Sequence, residues 1–450
     1  MGEISAMDIY KLLPQSNCGD CNLPTCMAFA MQVASKQASL DECPHVSDQA
    51  IEELAEASAP PIRKITIGKG DNQVEVGQET VLFRHEEKFY RPTGVAIKLQ
   101  DNLSSQELQT DIAKVNDLEF ERVGEVIGVN LLALEHTDSN PEQFASLVEV
   151  ALSQSNCPLI LISYDAEVME EALRISGEDS PLIYGATEEN WEKMSKLAHS
   201  YESPLVVIGS SLEELASNTQ RIKEKGVENL VLAPEADGMN DHLEKLTTIR
   251  RAALEKEFKP LGYPVITRCT NKNPFQEVAQ ASTYILKYAS LLVMEGIEKW
   301  EVLAPLTVRQ HVYIDPQVNN SVEAKLYEVG EPGKDSPVLF TTNFSLTYFT
   351  VETEVANSGQ PAYITVMDTD GLGILNAYAD DQLSGETVAE LIQKQGAMDK
   401  VDHNKLIIPG LVAVLRMSIQ EEGGWEVLVG PEDAASIPRF LNKEWPELKG

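Results

Sequence analysis

The chain has 450 residues, of which 43% are hydrophobic and 24% charged, a composition typical of a globular protein with about three domains. Its 36 basic and 71 acidic residues give a formal net charge of −35, which argues against binding to nucleic acid or to an anionic membrane surface. No apolar run approaches the roughly 18 residues of a membrane span, and residues 1–10 lack the pattern of a signal peptide. We therefore expect a soluble cytoplasmic protein.

The N-terminal region carries four of the six cysteines, at Cys18, Cys21, Cys26 and Cys43. Such a group in a large chain without a secretion signal indicates a metal site rather than a disulfide framework. Four thiolates hold either a [4Fe–4S] cluster or a structural zinc ion. Zinc sites tend to use two Cys-x-x-Cys pairs, whereas only Cys18 and Cys21 form one here and Pro44 gives a ferredoxin-like ending, so the pattern favours the cluster.

The two remaining cysteines, Cys157 and Cys269, stand far along the chain and are interpreted as ordinary buried thiols. The cysteine region ends with a predicted helix at residues 52–59, and Pro60 and Pro61 then mark a boundary because proline cannot continue a helix. Short alternating segments at residues 64–67, 74–76 and 80–83 predict strands of an antiparallel lead-in.

A different pattern begins at Gly94, where apolar runs alternate with charged segments of helical periodicity. Eight such runs occur, at residues 95–99, 127–134, 159–162, 182–184, 205–208, 230–232, 265–266 and 291–294. Strands that are apolar on both faces and alternate with helices predict a parallel sheet. The count of eight and the absence of a glycine-rich loop after the first strand favour a (β/α)8 TIM barrel over an open doubly wound sheet.

Polar side chains at the ends of the predicted barrel strands form no evident metal or acid–base set. They are Glu235 and Asp237 after the sixth strand and Arg268, Thr270 and Asn271 after the seventh. We therefore interpret the barrel mainly as a scaffold or a docking surface.

The last region predicts a small α/β, Rossmann-like domain. Its strands are expected at residues 338–341, 362–367, 406–408 and 425–429, and its helices at 345–352, 388–395, 412–420 and 432–441. The predicted domains are therefore a cluster domain at 1–58, a TIM barrel at 59–320 and a C-terminal domain at 321–450.

Several stretches resemble the large (gamma) subunit of the corrinoid iron–sulfur protein of the reductive acetyl-CoA pathway. They are CGDCNLPTC at 18–26, ASLDECPHVS at 38–47, LTVRQHVYIDPQ at 306–317, FTTNFSLTYF at 340–349, LIIPG at 406–410 and WEVLVGP at 425–431. The resemblance covers nearly the whole chain, with the three regions in the family order.

The resemblance implies a methyltransferase component that acts as a methyl carrier. In that family a cobamide cobalt, as Co(I), accepts the methyl group of methyltetrahydrofolate from a methyltransferase and delivers it to the nickel cluster of acetyl-CoA synthase. The [4Fe–4S] cluster reactivates Co(II). The implied partners are a smaller (delta) barrel subunit in a heterodimer, these two enzymes, and a reducing or reactivating protein.

The resemblance also implies a cobalt without a protein histidine ligand, because Asp370 occupies the histidine position of the Asp-x-His-x-x-Gly motif at residues 368–373. The alternative for these residues is a plain β-hairpin turn. Loops that follow strands bind ligands in open α/β domains. The candidate corrinoid contacts are Thr341, Thr347, Gly371, Leu372, Gly373, Ile374, Gly430 and Ala434.

Two other functions remain open at this stage. A ferredoxin-like redox adaptor would use the barrel and the C-terminal domain only to bind partners, and would contain no cobalt. A barrel methyltransferase would itself bind the methyl-pterin.

Overall fold

The computed structural model describes residues 5–21, 23–34, 38, 42–47, 60–137, 141–318 and 320–448. The chain forms two compact units, Met1–Phe120 with Ile127–Ile314 and Glu121–Val126 with Asp315–Gly450. The boundaries predicted at 58 and 320 stay predictions, and the helix predicted at 52–59 lies outside the described residues. No helix in the described part of the chain is long and apolar enough to cross a membrane.

The N-terminal region contains two short helices, α1 (Ala6–Leu12) and α2 (Cys26–Ala34). Helix α1 begins at Ser5, whose side chain accepts a hydrogen bond from the Asp8 N–H, the usual role of a serine N-cap. Ile9 of α1 packs against Phe29 and Ala30 of α2, so the two helices share a small apolar core.

The lead-in begins with an antiparallel hairpin of β1 (Ile65–Lys69) and β2 (Asn72–Val76). Its apolar side chains, Ile67 and Val74 among them, belong to the core inside the barrel and fill one end of it. The strand predicted at 80–83 is wrong, since no strand forms there. The Val81 carbonyl instead accepts hydrogen bonds from the Arg250 guanidinium at 2.6 and 3.2 Å, so a distant side chain replaces a neighbouring strand.

The barrel contains eight parallel strands arranged in chain order around its axis. A parallel bridge between Leu232 and Val265 nearly closes the sheet, which confirms the barrel over the open alternative. The strands are β3 (Gly94–Gln100), β6 (Leu131–Glu135), β7 (Leu159–Ile162), β8 (Leu182–Ala186), β9 (Leu205–Gly209), β10 (Leu230–Pro234), β11 (Ile266–Arg268) and β12 (Leu291–Met294).

A helix follows each barrel strand and covers its outer face, which is why the strands are apolar on both sides. The helices are α3 (Ser105–Asn116), α4 (Pro141–Gln154), α5 (Ala166–Ser176), α6 (Trp191–Ser200), α7 (Leu212–Lys223), α8 (Met239–Glu255), α9 (Pro274–Leu286) and α10 (Lys299–Tyr313).

The second apolar run, predicted as one strand over 127–134, is divided between two strands. A separate hairpin pairs β4 (Glu119–Arg122) with β5 (Glu125–Gly128), and positive φ angles at Val123 and Gly124 form its tight turn. Asn130 then separates β5 from β6, and its side-chain oxygen accepts a hydrogen bond from the Val95 N–H at 2.8 Å. The polar residue Asn130 thus divides the apolar run at residues 127–134 into the end of β5 and the barrel strand β6.

The C-terminal unit is built on an open five-stranded sheet in the order β13-β15-β14-β16-β17. Strand β13 is antiparallel to β15, and the other neighbours are parallel. The strands are β13 (Leu326–Val329), β14 (Val338–Thr342), β15 (Ala362–Met367), β16 (Lys405–Ile408) and β17 (Glu426–Val429). Because chain order reverses between β14 and β16, a topological switch point lies there, where open α/β sheets bind ligands.

Helices pack on both faces of this sheet and form one apolar core on each. The helices are α11 (Ser345–Ser358), α12 (Ile374–Ala379), α13 (Gly385–Lys394), α14 (Ala397–Lys400) and α15 (Arg416–Gly423), with a 3-10 segment at Gly410–Leu415 and short helical turns over 434–448. The α/β prediction is therefore confirmed. The hairpin alternative for residues 368–373 is wrong, because this loop leads from β15 into α12.

Candidate functional site

The loop between α1 and α2 holds Cys18 and Cys21, and Cys26 is the first residue of α2. The backbone is left-handed at Asn17 and Gly19, with φ angles of 50° and 81°. Gly19 adopts such angles without a Cβ clash, so the chain folds back on itself between the cysteines. The turn therefore keeps Cys18, Cys21 and Cys26 within nine residues at the start of α2.

Three of the four cysteines meet in one apolar cluster. Cys26 and Cys43 are buried, and the half-buried Cys21 packs against the same group of side chains, which includes Phe29 of α2. Cys43 comes from the segment beyond α2 and joins this cluster from a distant part of the sequence. Three thiols that the sequence separates thus belong to one cluster, although no three of the four cysteine sulfur atoms, all in the described part of the chain, lie within 4.8 Å of one another.

The fourth cysteine, Cys18, is exposed and lies beside Asp20 and His45, with one side-chain ligand atom from each within 4.8 Å of the others. His45 Nε2 lies 2.6 Å from the Asp20 carboxylate. Hydrogen bonds from His45 and Cys18 hold the pKa of Asp20 below its usual value. Because His45 follows Cys43 by two residues, this contact brings Cys18 to the segment that carries Cys43.

Backbone groups around Cys26 also suit a bound cluster. The Asn17 N–H donates to the Cys26 sulfur at 3.4 Å, and the Cys26 N–H donates to the Asn17 side chain at 2.9 Å. Hydrogen bonds to cysteine sulfur tune the potential of iron–sulfur clusters. The set of soft thiolates with an N–H donor therefore fits an iron–sulfur cluster.

The two other cysteines lie in different surroundings, within the barrel. Burial raises the pKa of the Cys157 thiol to about 11 and also raises the pKa of Cys269. Neither thiol is therefore an available thiolate near neutral pH.

In the C-terminal unit, the loops after four parallel strands lie at one edge of the sheet, which we call the ligand edge. Asn343, directly after β14, holds the loop after β15. Its Oδ1 accepts hydrogen bonds from the N–H groups of Thr369 and Gly371 at 3.0 and 3.1 Å, and its Nδ2 donates to Asp368 at 2.8 Å. Sequence analysis missed Asn343, for which the only signal is an amide residue at the end of a strand.

The structure brings the predicted residues Gly373 and Thr347 together. Gly373 begins α12, and a Cβ built on it would lie 3.5 Å from Phe344 and 3.7 Å from the Thr347 hydroxyl. Gly371 has a φ angle of 73°, so glycine is required for the turn. Leu372 and Ile374 belong to the same loop and its helix start.

The remaining predicted residues occupy other positions of this unit. Thr341 is fully buried in β14, and neither its hydroxyl nor that of Thr342 has a hydrogen-bond partner among the described residues. Gly430 follows β17, and its N–H donates to the Ile408 carbonyl at 2.9 Å, which joins the ends of β16 and β17. Ala434 packs on the apolar core of the α11 face.

Exposed apolar side chains surround the ligand edge and are called the apolar rim. Each belongs to a segment that follows the carboxyl end of a parallel strand, and the members are Leu346, Leu375, Tyr378, Leu411 and Val414. Large apolar side chains exposed together mark a binding surface rather than a solvated one. Such an edge, with unpartnered buried hydroxyls nearby, fits a large ring with polar side arms.

A comparison with protein-family models finds two matches. The model of the CO dehydrogenase/acetyl-CoA synthase delta subunit matches residues 64–441, and a model described as an Fe-S cluster matches residues 13–45. The first covers well over half of the chain, and the second contains all four clustered cysteines.

Relatives of known identity match nearly the full length. The corrinoid/iron-sulfur protein large subunit of Moorella thermoacetica is 44% identical over 97% of this chain and 98% of its own. The acetyl-CoA decarbonylase/synthase complex subunit gamma of Methanothermobacter thermautotrophicus is 39% identical over 98% of this chain and 99% of its own.

Among solved structures, 7,8-dihydropteroate synthase from Vibrio fischeri ES114 is similar over 55% of this chain and 98% of its own, with 12% identity and a TM-score of 0.40. That similarity is too low to support a conclusion.

Proposed function

The chain belongs to the family that contains the corrinoid/iron–sulfur protein large subunit and the acetyl-CoA decarbonylase/synthase subunit gamma, and from this membership we propose that it is a corrinoid methyl carrier. It accepts a methyl group from methyltetrahydrofolate through a methyltransferase and delivers it to the nickel cluster of acetyl-CoA synthase. The bound corrinoid supplies the cobalt that takes up and releases the methyl group, and the [4Fe–4S] cluster supplies the electron that restores oxidised cobalt. The observation that carries the proposal is one chain with both a cysteine cluster and an apolar ligand edge.

The N-terminal region has the task of holding the [4Fe–4S] cluster. Cys18, Cys21, Cys26 and Cys43 are the ligands in this proposal. The buried positions of Cys26 and Cys43 exclude water from one side, and the exposed Cys18 leaves a side open to a redox partner. The Asn17 N–H stabilises the thiolate of Cys26.

The ligand edge has the task of holding the corrinoid. Thr347, Gly371, Leu372, Gly373 and Ile374 are the residues that would hold the ring in this proposal, and the two glycines would let it approach the backbone closely. In this proposal the buried Thr341 hydroxyl, which has no hydrogen-bond partner among the described residues, donates to a polar side arm of the corrinoid. Gly430 and Ala434 are the outer contacts of this proposal.

A histidine ligand to cobalt is not part of the proposal, and His403 supports this. It is the only histidine of the C-terminal unit. Its Nε2 lies 2.9 Å from the Ser336 carbonyl, and its Nδ1 accepts a hydrogen bond from the Lys405 N–H at 3.1 Å. Both ring nitrogens are therefore engaged, and neither is a ready axial donor.

The partners in this proposal are a smaller (delta) barrel subunit in a heterodimer, the methyltetrahydrofolate methyltransferase, acetyl-CoA synthase and a reducing or reactivating protein, all in the cytoplasm. The apolar rim supports the need for a partner, because exposed apolar surface of this kind is normally covered in a complex.

Metal analysis and an ultraviolet–visible spectrum of the anaerobically purified complex test the proposal. We expect about four irons per chain and one corrinoid. Cys26→Ala should lose the iron and the reductive reactivation but keep the methyl transfer from pre-reduced cobalt, whereas Cys157→Ala should behave as wild type. Zinc in place of iron would contradict the cluster, and a complex without cobalt would favour a redox adaptor.

Paramagnetic resonance of the Co(II) state tests the axial ligand. The spectrum should show no nitrogen splitting from a protein histidine. A splitting that disappears when a single histidine, such as His403, is replaced by alanine would contradict this part of the proposal.

A further inference from the structure

The barrel has a cavity of about 760 Å³ at the carboxyl ends of its strands. Small-molecule sites usually have volumes of roughly 300–1,000 Å³, and TIM-barrel proteins bind their ligands at this face. The methyl-carrier function proposed above assigns no role to this cavity, which lies wholly within the first compact unit.

One half of the cavity is lined by charged side chains. The barrel interior is apolar at Ala96, Ala133, Ile266 and Val293, on four strands that are neighbours around the barrel. Alternate residues of a strand point the same way, so the positions two residues further on also face inward. These positions carry Lys98, Glu135, Arg268 and Glu295, where a closed barrel would place another apolar layer. Lys98, Arg268 and Glu295 line the cavity, and Glu135 pairs with both cations.

The four charged groups form one connected network. Lys98 Nζ lies 2.7 Å from Glu135 and 2.7 Å from Glu295, and Arg268 also pairs with Glu135. The side chains of Lys98 and Glu135 are only 9% and 14% exposed. Two cations and two carboxylates leave no net charge. Buried ion pairs seldom stabilise a fold more than apolar packing does, so the network indicates a role in binding.

The other half of the cavity is aromatic and apolar. Tyr164 and Tyr184 lie edge to face with ring centroids 6.4 Å apart, and Ile208 is beside them in the lining. The Arg268 guanidinium lies 5.5 Å from the centre of the Tyr184 ring. Tyr164 is half exposed, so one aromatic surface is accessible at the entrance. Flat apolar surfaces thus face a row of hydrogen-bonding groups.

We propose that this cavity binds a neutral planar heterocycle with an amide-like edge of N–H and C=O groups. The Glu295 carboxylate accepts hydrogen bonds from ring N–H groups, Lys98 and Arg268 donate to ring oxygens, and Tyr164 stacks on the ring face. An anion fits less well, because both cations are already paired. Pterins, flavins and guanine nucleosides all carry this row of N–H and C=O groups, so a ligand of this class can belong to any of these three kinds of compound.

Isothermal titration calorimetry of the full chain with the neutral probes 6-hydroxymethylpterin, riboflavin and guanosine tests the proposal. At least one probe should bind with a single saturable site. Tyr164→Ala and Glu295→Gln should each weaken that binding about tenfold, as expected for the loss of one stacking or charged contact. The matched controls are Tyr90→Ala and Glu228→Gln, two exposed residues that do not line this cavity, and they should leave binding unchanged.

The probe that binds identifies the source as a pterin, a flavin or a purine nucleoside. The proposal is overturned if none of the three binds saturably, or if Tyr164→Ala and Glu295→Gln, folded as judged by circular dichroism, bind as tightly as the wild type. Because the measurement does not depend on cobalt or iron, its failure would leave the methyl-carrier proposal untouched.

Discussion

The barrel and the open C-terminal sheet both present the carboxyl ends of parallel strands, but the two edges differ in chemistry. At the barrel mouth, Lys98, Glu135 and Arg268 are paired with one another in a nearly buried network. At the ligand edge of the open sheet, Leu411 and Val414 are exposed and the buried Thr341 hydroxyl has no partner among the described residues. The barrel mouth satisfies its polar groups internally, whereas the ligand edge exposes apolar side chains and contains a buried hydroxyl without a partner among the described residues.

This difference shows that strand topology selects where a ligand binds and that side chains select which ligand. A topological switch point and a barrel mouth both lie at the carboxyl ends of parallel strands. A paired network tolerates only a small polar molecule that fits its donors and acceptors. An exposed apolar rim favours a large partner that removes the rim from water.

The largest expected effect breaks the network at the barrel mouth. Lys98→Met removes the ammonium partner of Glu135, which stays paired with Arg268, so we expect the free energy of unfolding of the barrel to fall by about 3 kcal/mol, the lower end of the loss for a broken buried pair. Hydrogen exchange, read by mass spectrometry on barrel peptides, measures this change separately from the C-terminal unit. The double variant Lys98→Met/Glu135→Gln should recover part of the loss, because the amide oxygen at position 135 still accepts a hydrogen bond from Arg268. If Lys98→Met alone is as stable as the wild type, the ion pairs at the barrel mouth do not stabilise the barrel, and the contrast with the ligand edge fails.

Acidification should also act on the barrel mouth, through His242. Burial lowers the pKa of His242, which lines the cavity, to about 4. Its usual pKa is about 6.5, so the unfolded chain binds the proton more tightly. This contribution to stability is complete above about pH 6.5 and is lost as the pH falls to about 4, by about 3 kcal/mol. Barrel hydrogen exchange in His242→Gln should show a shallower pH dependence, and an unchanged slope would contradict this origin.

The parts of the fold that the sequence predicts are those set by local patterns. The eight barrel strands are apolar on both faces, so their runs stand out, and the four closely spaced cysteines point to a metal site by spacing alone. The errors arise where a polar side chain, from elsewhere in the fold or within the run itself, makes the hydrogen bonds that a continuous strand would make. Arg250 replaces a strand at Val81, and Asn130 divides one apolar run into two strands.

The ligand edge was harder to predict for a similar reason. Asn343 orders the loop at 368–373 through four hydrogen bonds to three residues, but a single amide residue has no periodic signal. The charged row at the barrel mouth also escapes sequence analysis, because its members come from four strands spread over about 200 residues and meet only when the barrel closes.

A smaller effect is expected from a charge placed on the apolar rim. Val414 is 69% exposed, so Val414→Asp should change the free energy of unfolding by no more than about 0.5 kcal/mol. Corrinoid affinity should fall about tenfold, which corresponds to about 1.4 kcal/mol. Corrinoid retention after anaerobic dialysis measures it, and Val126→Asp, at a 70% exposed valine outside the rim, is the matched control. Equal retention in both variants would remove the rim from the site.

The smallest expected effect separates two adjacent hydroxyls of the open sheet. Thr341 and Thr342 are both fully buried and unpartnered among the described residues, but neighbouring residues of a strand point to opposite faces. Replacing a buried hydroxyl that has no partner by a methyl group removes a desolvation cost, so Thr341→Val and Thr342→Val should each stabilise the corrinoid-free chain by about 0.5–1 kcal/mol.

The two variants should differ once the corrinoid is bound. If Thr341 donates to a side arm of the corrinoid, Thr341→Val loses that hydrogen bond and should lower corrinoid affinity about fivefold, roughly 1 kcal/mol. Thr342→Val, on the opposite face, should keep wild-type affinity and serves as the internal control. If Thr341→Val raises the free energy of unfolding and lowers corrinoid affinity, the hydroxyl contributes to ligand binding and not to folding. If corrinoid affinity stays unchanged or rises together with stability, Thr341 does not contact the corrinoid.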